Sequence, residues 1–575
     1  MNDTLQSRLY SRLEEGSGQR AITFYDRDGD FSWYTFEQFY SNAESYTAAL
    51  ADLGLRKGDA CILVLPSEEF CATLLLAVLL AGAVPILIAP PVLQSKGAFS
   101  NLRQIIVRIV HKTKPSIVIC EDSMLDQREK LANASKSTRF LFGQDSLAGG
   151  LPGTIPPVRP NEDDIAAMQL TSGTTGFPRI CVWQQRSILA ALDGMSAAMG
   201  LEAADVCLNW TPLYHDMGLV NNFLLCLAKG IPLVMLNPKD FVKKPALWLQ
   251  GLSDTGATMT WSPNFGFAIS AQRIRTQELE GVDLGRVRAF WSAAERIHSE
   301  TMRAFYERFG PYGLRFEALK TNFGCAENIG GATFSDPDGA FIVEHVDRSK
   351  FLEEGIAEPI NPSINGTKAI SIVGVGRPHH KLAVQILSRN GRRLPEGHVG
   401  EIALLTPSRM LGFLGDAQAT QRSIHGDLLL TGDLGYVRDG ELFWVGRARE
   451  RITIRGKKID PSDFEPILLQ IPDLRAGCFA AFGIDDERLG TQRIVVVTEV
   501  RASASRKPAE IAGDIRNRVM SSLGVNVDEV MLVREGTLTK TSSGKRRHRH
   551  FREVYQAGKL TDFQWKLPAM LEAGD

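Results

Sequence analysis

The sequence predicts an α/β protein: a large N-terminal domain of stacked α/β subdomains with a small β-rich, barrel-like subdomain, followed by a smaller α+β domain. Three observations carry this. Short apolar runs, ACILVL (60–65), VPILIA (84–89), SIVIC (116–120), VCLNW (206–210) and IPLVML (231–236), recur between helical stretches, the alternation expected of parallel sheets covered by helices. From Ile370 to Leu414 the texture changes to SIVGVGRP, LAVQIL, NGRRLPEG and GEIALL, strand pieces joined by the Asn-Gly and Pro-Glu-Gly chemistry of hairpin turns. Near 446–450 the strand ELFWVG passes into the basic stretch RARERITIRGKK, and the remainder has the size of a small domain. The expected division is 1–447, with the β-rich part over about 370–447, and 448–575.

Taken in order, the N-terminus MNDTLQSRLYSRLEE lacks a charged-then-apolar secretory pattern. From Phe70 to Ser95 no residue is charged, long enough to raise a membrane span. Gly82, Pro85 and Pro90-Pro91 interrupt it, so it reads as a buried helix running into a buried strand. The chain of 575 residues allows about four units at roughly 150 residues each. With 44% apolar and 23% charged residues it is not a disordered or fibrous chain. The net charge of −1 supplies no field for a polyanion, but residues 448–575 carry 22 basic and 18 acidic side chains, a basic unit after an acidic one. Eight dispersed cysteines without CxxC pairs suggest neither a disulfide framework nor a metal cluster, and a cytoplasmic protein is expected.

The sharpest local signal follows the apolar IAAMQL: Thr171, Ser172, Gly173, Thr174, Thr175 and Gly176, then Phe177, Pro178 and Arg179. Four hydroxyls and two glycines in six residues make a loop whose N–H and O–H groups can surround phosphate oxygens, with Arg179 adding fixed charge. It is not a GxxxxGK[ST] loop. A second candidate is the basic run KRRHRHFR. It has one flanking aromatic, Phe551, and no basic fold signature, so nucleic-acid binding is not expected.

TSGTTGFPR resembles the phosphate loop of the adenylate-forming superfamily: acyl-CoA synthetases, peptide-synthetase adenylation domains and luciferases. The resemblance continues in order with PLYHDMGL (212–219), NFGCAEN (322–328), TGDLGYVRDGELFWVGRARERI (431–452) and LTKTSSGK (538–545). It implies ATP and Mg2+ as cofactors and a C-terminal domain that swings between two half-reactions. By position it implies that Phe323 lies against adenine, that Ala293 and Ala294 belong to the ATP-binding set, that Glu327 attends magnesium, and that Asp433 and Arg447 contact the ribose. His215 falls beside the substrate carboxylate and α-phosphate, Lys545 is the catalytic lysine, and Arg449 is the hinge. A flat apolar ring suits stacking on adenine, a hard carboxylate suits Mg2+, and a lysine touching two anions offsets the charge of their union.

PLYHDMGLVNNFL, WSPNFGFAISAQRI (261–274), LEGVDLGRVRAFWSAAERI (279–297) and His345–Ile360 look closest to the fatty acyl-AMP ligases. In that subgroup the last segment lies at or beside an insertion associated with poor use of free coenzyme A. The implied reaction is activation of a fatty or related apolar carboxylic acid as acyl-adenylate with release of pyrophosphate, then transfer to the phosphopantetheine thiol of an acyl carrier protein. Candidates for the acyl channel are Met217, Asn264, Phe265, Phe267 and Ala268, which can equally be core. Departures from the family pattern are Arg179 for lysine, Ile180 for glycine, Gln185 for histidine, Ser292-Ala293 for Asn-Gly and Thr539 for proline. The alternatives are an acyl- or aryl-CoA ligase and a non-catalytic nucleotide-binding relative.

Overall fold

The computed structural model describes residues 3–91, 98–147, 158–171, 178–365, 369–454, 457–486, 491–541 and 545–560. The apolar runs are strands, but of two different sheets. Ala60–Val64, Val84–Leu87 and Ile117–Cys120 pair in parallel within a seven-stranded sheet that also holds Arg139–Phe142, Ile165–Leu170, Ile180–Gln184 and Gly412–Phe413. Cys207–Asn209 and Leu233–Leu236 belong to a nine-stranded sheet whose centre runs Leu319–Cys325, Ala289–Ser292, Met259–Ser262, Cys207–Asn209, Leu233–Leu236, Arg20–Tyr25, all parallel. Strands buried on both faces need no polar alternation, which is why they read as continuous apolar runs.

The uncharged 70–95 stretch forms the helix Glu69–Leu80 followed by the strand Val84–Leu87. Every helix residue from Cys71 to Leu80 is buried, the pattern of a helix enclosed on all sides rather than amphipathic. Gly82 makes the turn between them at φ +66, and a β-carbon there would lie 2.6 Å from Val158 Cγ1. Among the described residues no helix is long and apolar enough to cross a membrane. Four tryptophans, Trp183, Trp248, Trp261 and Trp291, are fully buried in the core shared by these layers.

The β-rich region is built as the turns suggested, with a refinement. Ala383–Leu387, Gly400–Leu405, Leu428–Arg438 and Glu441–Arg447 form a consecutive antiparallel sheet. Ala369–Val373 instead pairs with Val343–Asp347, Arg377–Pro378 edges the nine-stranded sheet, and Gly412–Phe413 edges the seven-stranded one. The β-rich unit is thereby stitched to both large sheets.

Beyond residue 448 lie the hairpin Ile452–Ile454 with Lys457–Ile459, a three-stranded sheet of Leu474–Asp486, Thr491–Val500 and Glu529–Arg534, and the helices Pro508–Leu523 and His548–Gln556. One buried cluster joins Ile452, Ile459, Phe464 and Ile494 of this part to Val346, Phe351, Leu352 and Ala357 of the 345–360 segment and to Tyr436 and Phe443.

Candidate active site

A cavity of about 350 Å³ opens where the two large sheets, the β-rich sheet and the C-terminal part meet. That volume lies in the usual range of small-molecule sites, roughly 300–1,000 Å³. Its walls come from strand ends and the loops that follow them, where a parallel sheet leaves side chains and backbone groups free. Thr171 and Arg179 stand at the two ends of the hydroxyl-rich loop, which is pinched where the Thr171 N–H donates to the Arg179 carbonyl at 2.9 Å. Arg179 is anchored beside Asp416, Nε to Oδ2 3.6 Å, with its guanidinium carbon 5.2 Å from the Phe413 ring centroid. Gln169 ties this loop to the next one by donating to the Tyr214 carbonyl at 2.8 Å.

His215 and Met217 line the cavity from the turn Asp216–Gly218. The Met217 N–H donates to Asp216 Oδ1 at 3.0 Å and lies 3.2 Å from His215 Nδ1, which is itself 2.9 Å from Asp216 Oδ1, so the turn fixes both side chains against the wall. Gly218 has to be glycine: a β-carbon there would sit 2.2 Å from the Pro212 carbonyl oxygen. Phe323 reaches the cavity from the strand Leu319–Cys325, and Ala293 and Ala294 from the end of Ala289–Ser292. Ala294 is held at φ +71, uncommon for a residue with a β-carbon and a sign of a turn constrained by its surroundings. Glu327 follows Phe323 in a short turn pinned by Trp183 Nε1 donating to the Ala326 carbonyl at 2.9 Å and by Met410 N–H donating to the Glu327 carbonyl at 2.8 Å.

Asp433 and Arg447 face each other across the antiparallel pair, Nε to Oδ1 3.4 Å. Lys545 enters from the C-terminal part, its N–H donating to Thr541 Oγ1 at 2.9 Å. The groups share one field. Burial, then the nearby Arg447 charge, pulls the Lys545 ammonium below the ordinary lysine range, while Asp216, Asp433 and Glu295 oppose the shift. Burial raises the carboxyls of Glu327 and Asp433 against the pull of Arg447. Burial also works against the charge of Arg447, but Asp433, Glu450 and Glu327 more than offset it. Despite burial, His215, Lys545 and the Met217 N–H hold Asp216 at about 2. A closed space lined by partly compensated cations and carboxyls suits a charged substrate more than an apolar one.

The structure therefore brings Thr171, Arg179, His215, Met217, Ala293, Ala294, Phe323, Glu327, Asp433, Arg447, Arg449 and Lys545 onto one cavity. Ser172, Gly173, Thr174, Thr175 and Gly176 lie outside the described residues. Arg449 sits at the exposed rim, where partial desolvation and then the charges of Arg179, Arg422 and Arg549 disfavour its cationic form. Asn264, Phe265, Phe267 and Ala268 are not among the lining residues. They turn onto the helix Asn264–Arg273, and Phe267 packs edge-on against Trp248, Phe290 and Phe305 in the core. Sequence reasoning passed over Asp216, Glu295 and Arg546, which the cavity also exposes. The charge beside His215 was the available signal for the first. For the other two the signal was adjacency: Glu295 directly follows Ala293-Ala294, and Arg546 directly follows Lys545.

A single carboxylate such as Glu327 fits magnesium, which is usually held by one or two carboxylates with substrate phosphates completing its octahedron. Among the described residues no cluster of three or more His, Cys, Asp or Glu forms a cage of its own. The buried Glu327 carboxyl, costly to ionise alone, would gain from such a cation.

Residues 11–414 match the AMP-binding enzyme family. A medium-chain-fatty-acid–[acyl-carrier-protein] ligase of Moorena producens, JamA, is 26% identical over 99% of this chain and 98% of its own. A 4-hydroxyphenylalkanoate adenylyltransferase of Mycobacterium marinum is 26% identical over 96% of this chain and 91% of its own. A solved structure from work on fatty acyl-adenylate ligases of E. coli and L. pneumophila superimposes with a TM-score of 0.88 at 26% identity, covering 97% of this chain and 98% of the other.

Proposed function

This chain belongs to the AMP-binding enzyme family, an adenylate-forming acid ligase, and from that premise we propose that it converts an apolar, fatty-type carboxylic acid to its acyl-adenylate and passes the acyl group to the phosphopantetheine thiol of an acyl carrier protein. The observation that carries the reading is the arrival of Lys545 from the C-terminal part in the cavity that holds His215, Glu327, Asp433 and Arg447.

In the first step a carboxylate oxygen attacks the α-phosphorus of ATP, the bond from that phosphorus to the bridging oxygen breaks, and pyrophosphate leaves. Two anions must meet, so the ammonium of Lys545 orients them and offsets the charge gathering on the α-phosphoryl oxygens. Phe323 and the Ala293-Ala294 turn accept the adenine face, and Asp433 accepts hydrogen bonds from the ribose hydroxyls while Arg447 holds Asp433 in place. His215, kept in one orientation by the Met217 N–H, borders the carboxylate. Arg179 and the loop it ends take the outer phosphates. Magnesium held through Glu327 would supply charge neutralisation at the phosphates. In the second step the thiol sulfur attacks the acyl carbonyl, the thiol proton is lost, and AMP leaves.

The reading divides the chain into an ATP- and acid-binding domain, 1–447, and a mobile domain, 448–575, turning at Arg449. Preference for a carrier over free coenzyme A is supported by the 345–360 segment. Its Val346, Phe351, Leu352 and Ala357 share a buried apolar cluster with Ile452, Ile459 and Phe464, so the segment that resembles the subgroup's insertion packs directly on the domain that moves to admit the acceptor. The carrier-ligase relative points the same way.

The test is ATP–pyrophosphate exchange over a panel of acids of varied length and aromaticity, in wild type and Lys545→Ala. Acid-dependent exchange that falls by about 10²–10³, the cost of losing one preorganised oxyanion contact, is the expected result. Exchange in Lys545→Ala equal to wild type would refute the role of Lys545, and none in wild type with any acid would refute the activity.

A further inference from the structure

Next to Lys545 lies a set of buried charged and polar side chains that the chemistry above does not use. Glu295, Arg296 and His298 sit on one loop just past Ala294, while Asp463, Glu465 and Arg546 lie beyond residue 448. Arg296 is ion-paired with Asp463 and reaches to 3.4 Å from Ser462 Oγ. Arg546 is paired with Glu465, and its Nη1 lies 3.7 Å from Glu295 Oε2. His298 Nε2 is 3.4 Å from Glu465 Oε2. None of these six side chains is more than 15% exposed.

The N-terminal half of the set is itself held rigidly. The Phe265 N–H donates to Glu295 Oε1 at 2.7 Å, and the His298 N–H donates to Asn264 Oδ1 at 3.1 Å. On the other side the Arg546 guanidinium lies 4.9 Å from the Phe479 ring centroid, and Lys540 Nζ is 5.8 Å from that of Phe265. Buried ion pairs add little net stability over an apolar contact but penalise any register that leaves one charge alone. Here that penalty acts on the residue following Lys545.

We propose that Glu295 and Arg546 are positioning residues: their ion pair, backed by Arg296 with Asp463 and His298 with Glu465, sets how far Lys545 enters the cavity and so acts in acyl-adenylate formation but not in acyl transfer. The inference rests on the proposed two-step reaction. It adds that charge register selects the closed arrangement alongside the apolar contact with the 345–360 segment, and that Asn264 and Phe265 serve the interface.

The experiment uses the full-length chain with Glu295→Gln, Glu295→Asp, Arg546→Gln and the Gln/Gln double variant. It measures ATP–pyrophosphate exchange and, separately, loading of a holo-carrier from chemically synthesised acyl-adenylate. The geometry predicts that Glu295→Gln lowers exchange kcat by about 10- to 100-fold, the scale of a small misplacement of a reacting group. The KM for ATP and the loading step should stay within about threefold. Glu295→Asp should recover part of the rate, and the double variant should be no worse than Arg546→Gln alone, the non-additivity of a coupled pair. Equal losses in both steps at a lowered Tm would overturn the proposal in favour of general damage. Wild-type exchange in Glu295→Gln would overturn it while leaving the parent reading intact. Absence of exchange in the wild-type chain would remove both.

Discussion

Replacing Asp433 by Asn tests the site through two independent readouts. The substitution keeps the shape of a side chain that is 7% exposed and removes its charge. If Asp433 accepts hydrogen bonds from the ribose, losing the charge-assisted contact costs about 1.5–3 kcal/mol, which is about 10- to 150-fold in the KM for ATP. Stability should change much less. Arg447 keeps 38% of its side chain in water and still has Glu450 and Glu327 beside it, so the cation left behind stays compensated and the lost pair is worth at most about 1 kcal/mol.

The second readout is the alkaline limb of the pH–rate profile. Lys545 must be cationic to act, and its ammonium is already pulled below the ordinary lysine range by burial and Arg447, so the rate is full at low pH and lost as pH rises through that lowered value. Asp433 is one of the groups that support the cation, so Asp433→Asn should move the limb to still lower pH. Exchange kinetics at saturating acid, with ATP titrated at a series of pH values, measures both. An unchanged KM for ATP, or a limb moving to higher pH, would refute the assigned roles of this pair.

Two further substitutions separate chemistry from packing. Lys545→Arg keeps a charge that does not titrate below pH 12, so exchange should slow while the alkaline limb disappears; a limb that persists would assign the titration to another group. Phe267→Ala should cost about 3–5 kcal/mol in chemical denaturation, because the ring is fully buried against Trp248, Phe290 and Phe305, with the chain-length preference for the acid unchanged. A shifted preference at normal stability would return Phe267 to the acyl channel.

The elements legible in the sequence were those whose local pattern has one structural meaning. Glu69–Leu80 carries no polar face and had to be enclosed, and the strand Val84–Leu87 follows its glycine turn. The assignment of strands to sheets was not legible: Ala60–Val64 and Leu233–Leu236 read alike, yet lie in different sheets, because a run apolar on both faces says nothing about its neighbour. At the site, Phe323, Glu327, Asp433 and Lys545 were found by motif order, and 221 residues of chain separate Phe323 from Lys545. Asn264 and Phe265 suggested a channel because small and aromatic residues follow a strand. Their backbone and side-chain hydrogen bonds to Glu295 and His298 were invisible without the tertiary contact.

Delivery of an acyl-adenylate to a carrier-bound thiol can be read from one reaction by mass spectrometry. The purified chain is given ATP, magnesium and its best acid, with holo-acyl carrier protein and free coenzyme A competing at equal concentration. The expected product is an acyl thioester on the carrier, with acyl-coenzyme A as a minor species. Efficient formation of acyl-coenzyme A with the carrier left unloaded would contradict it.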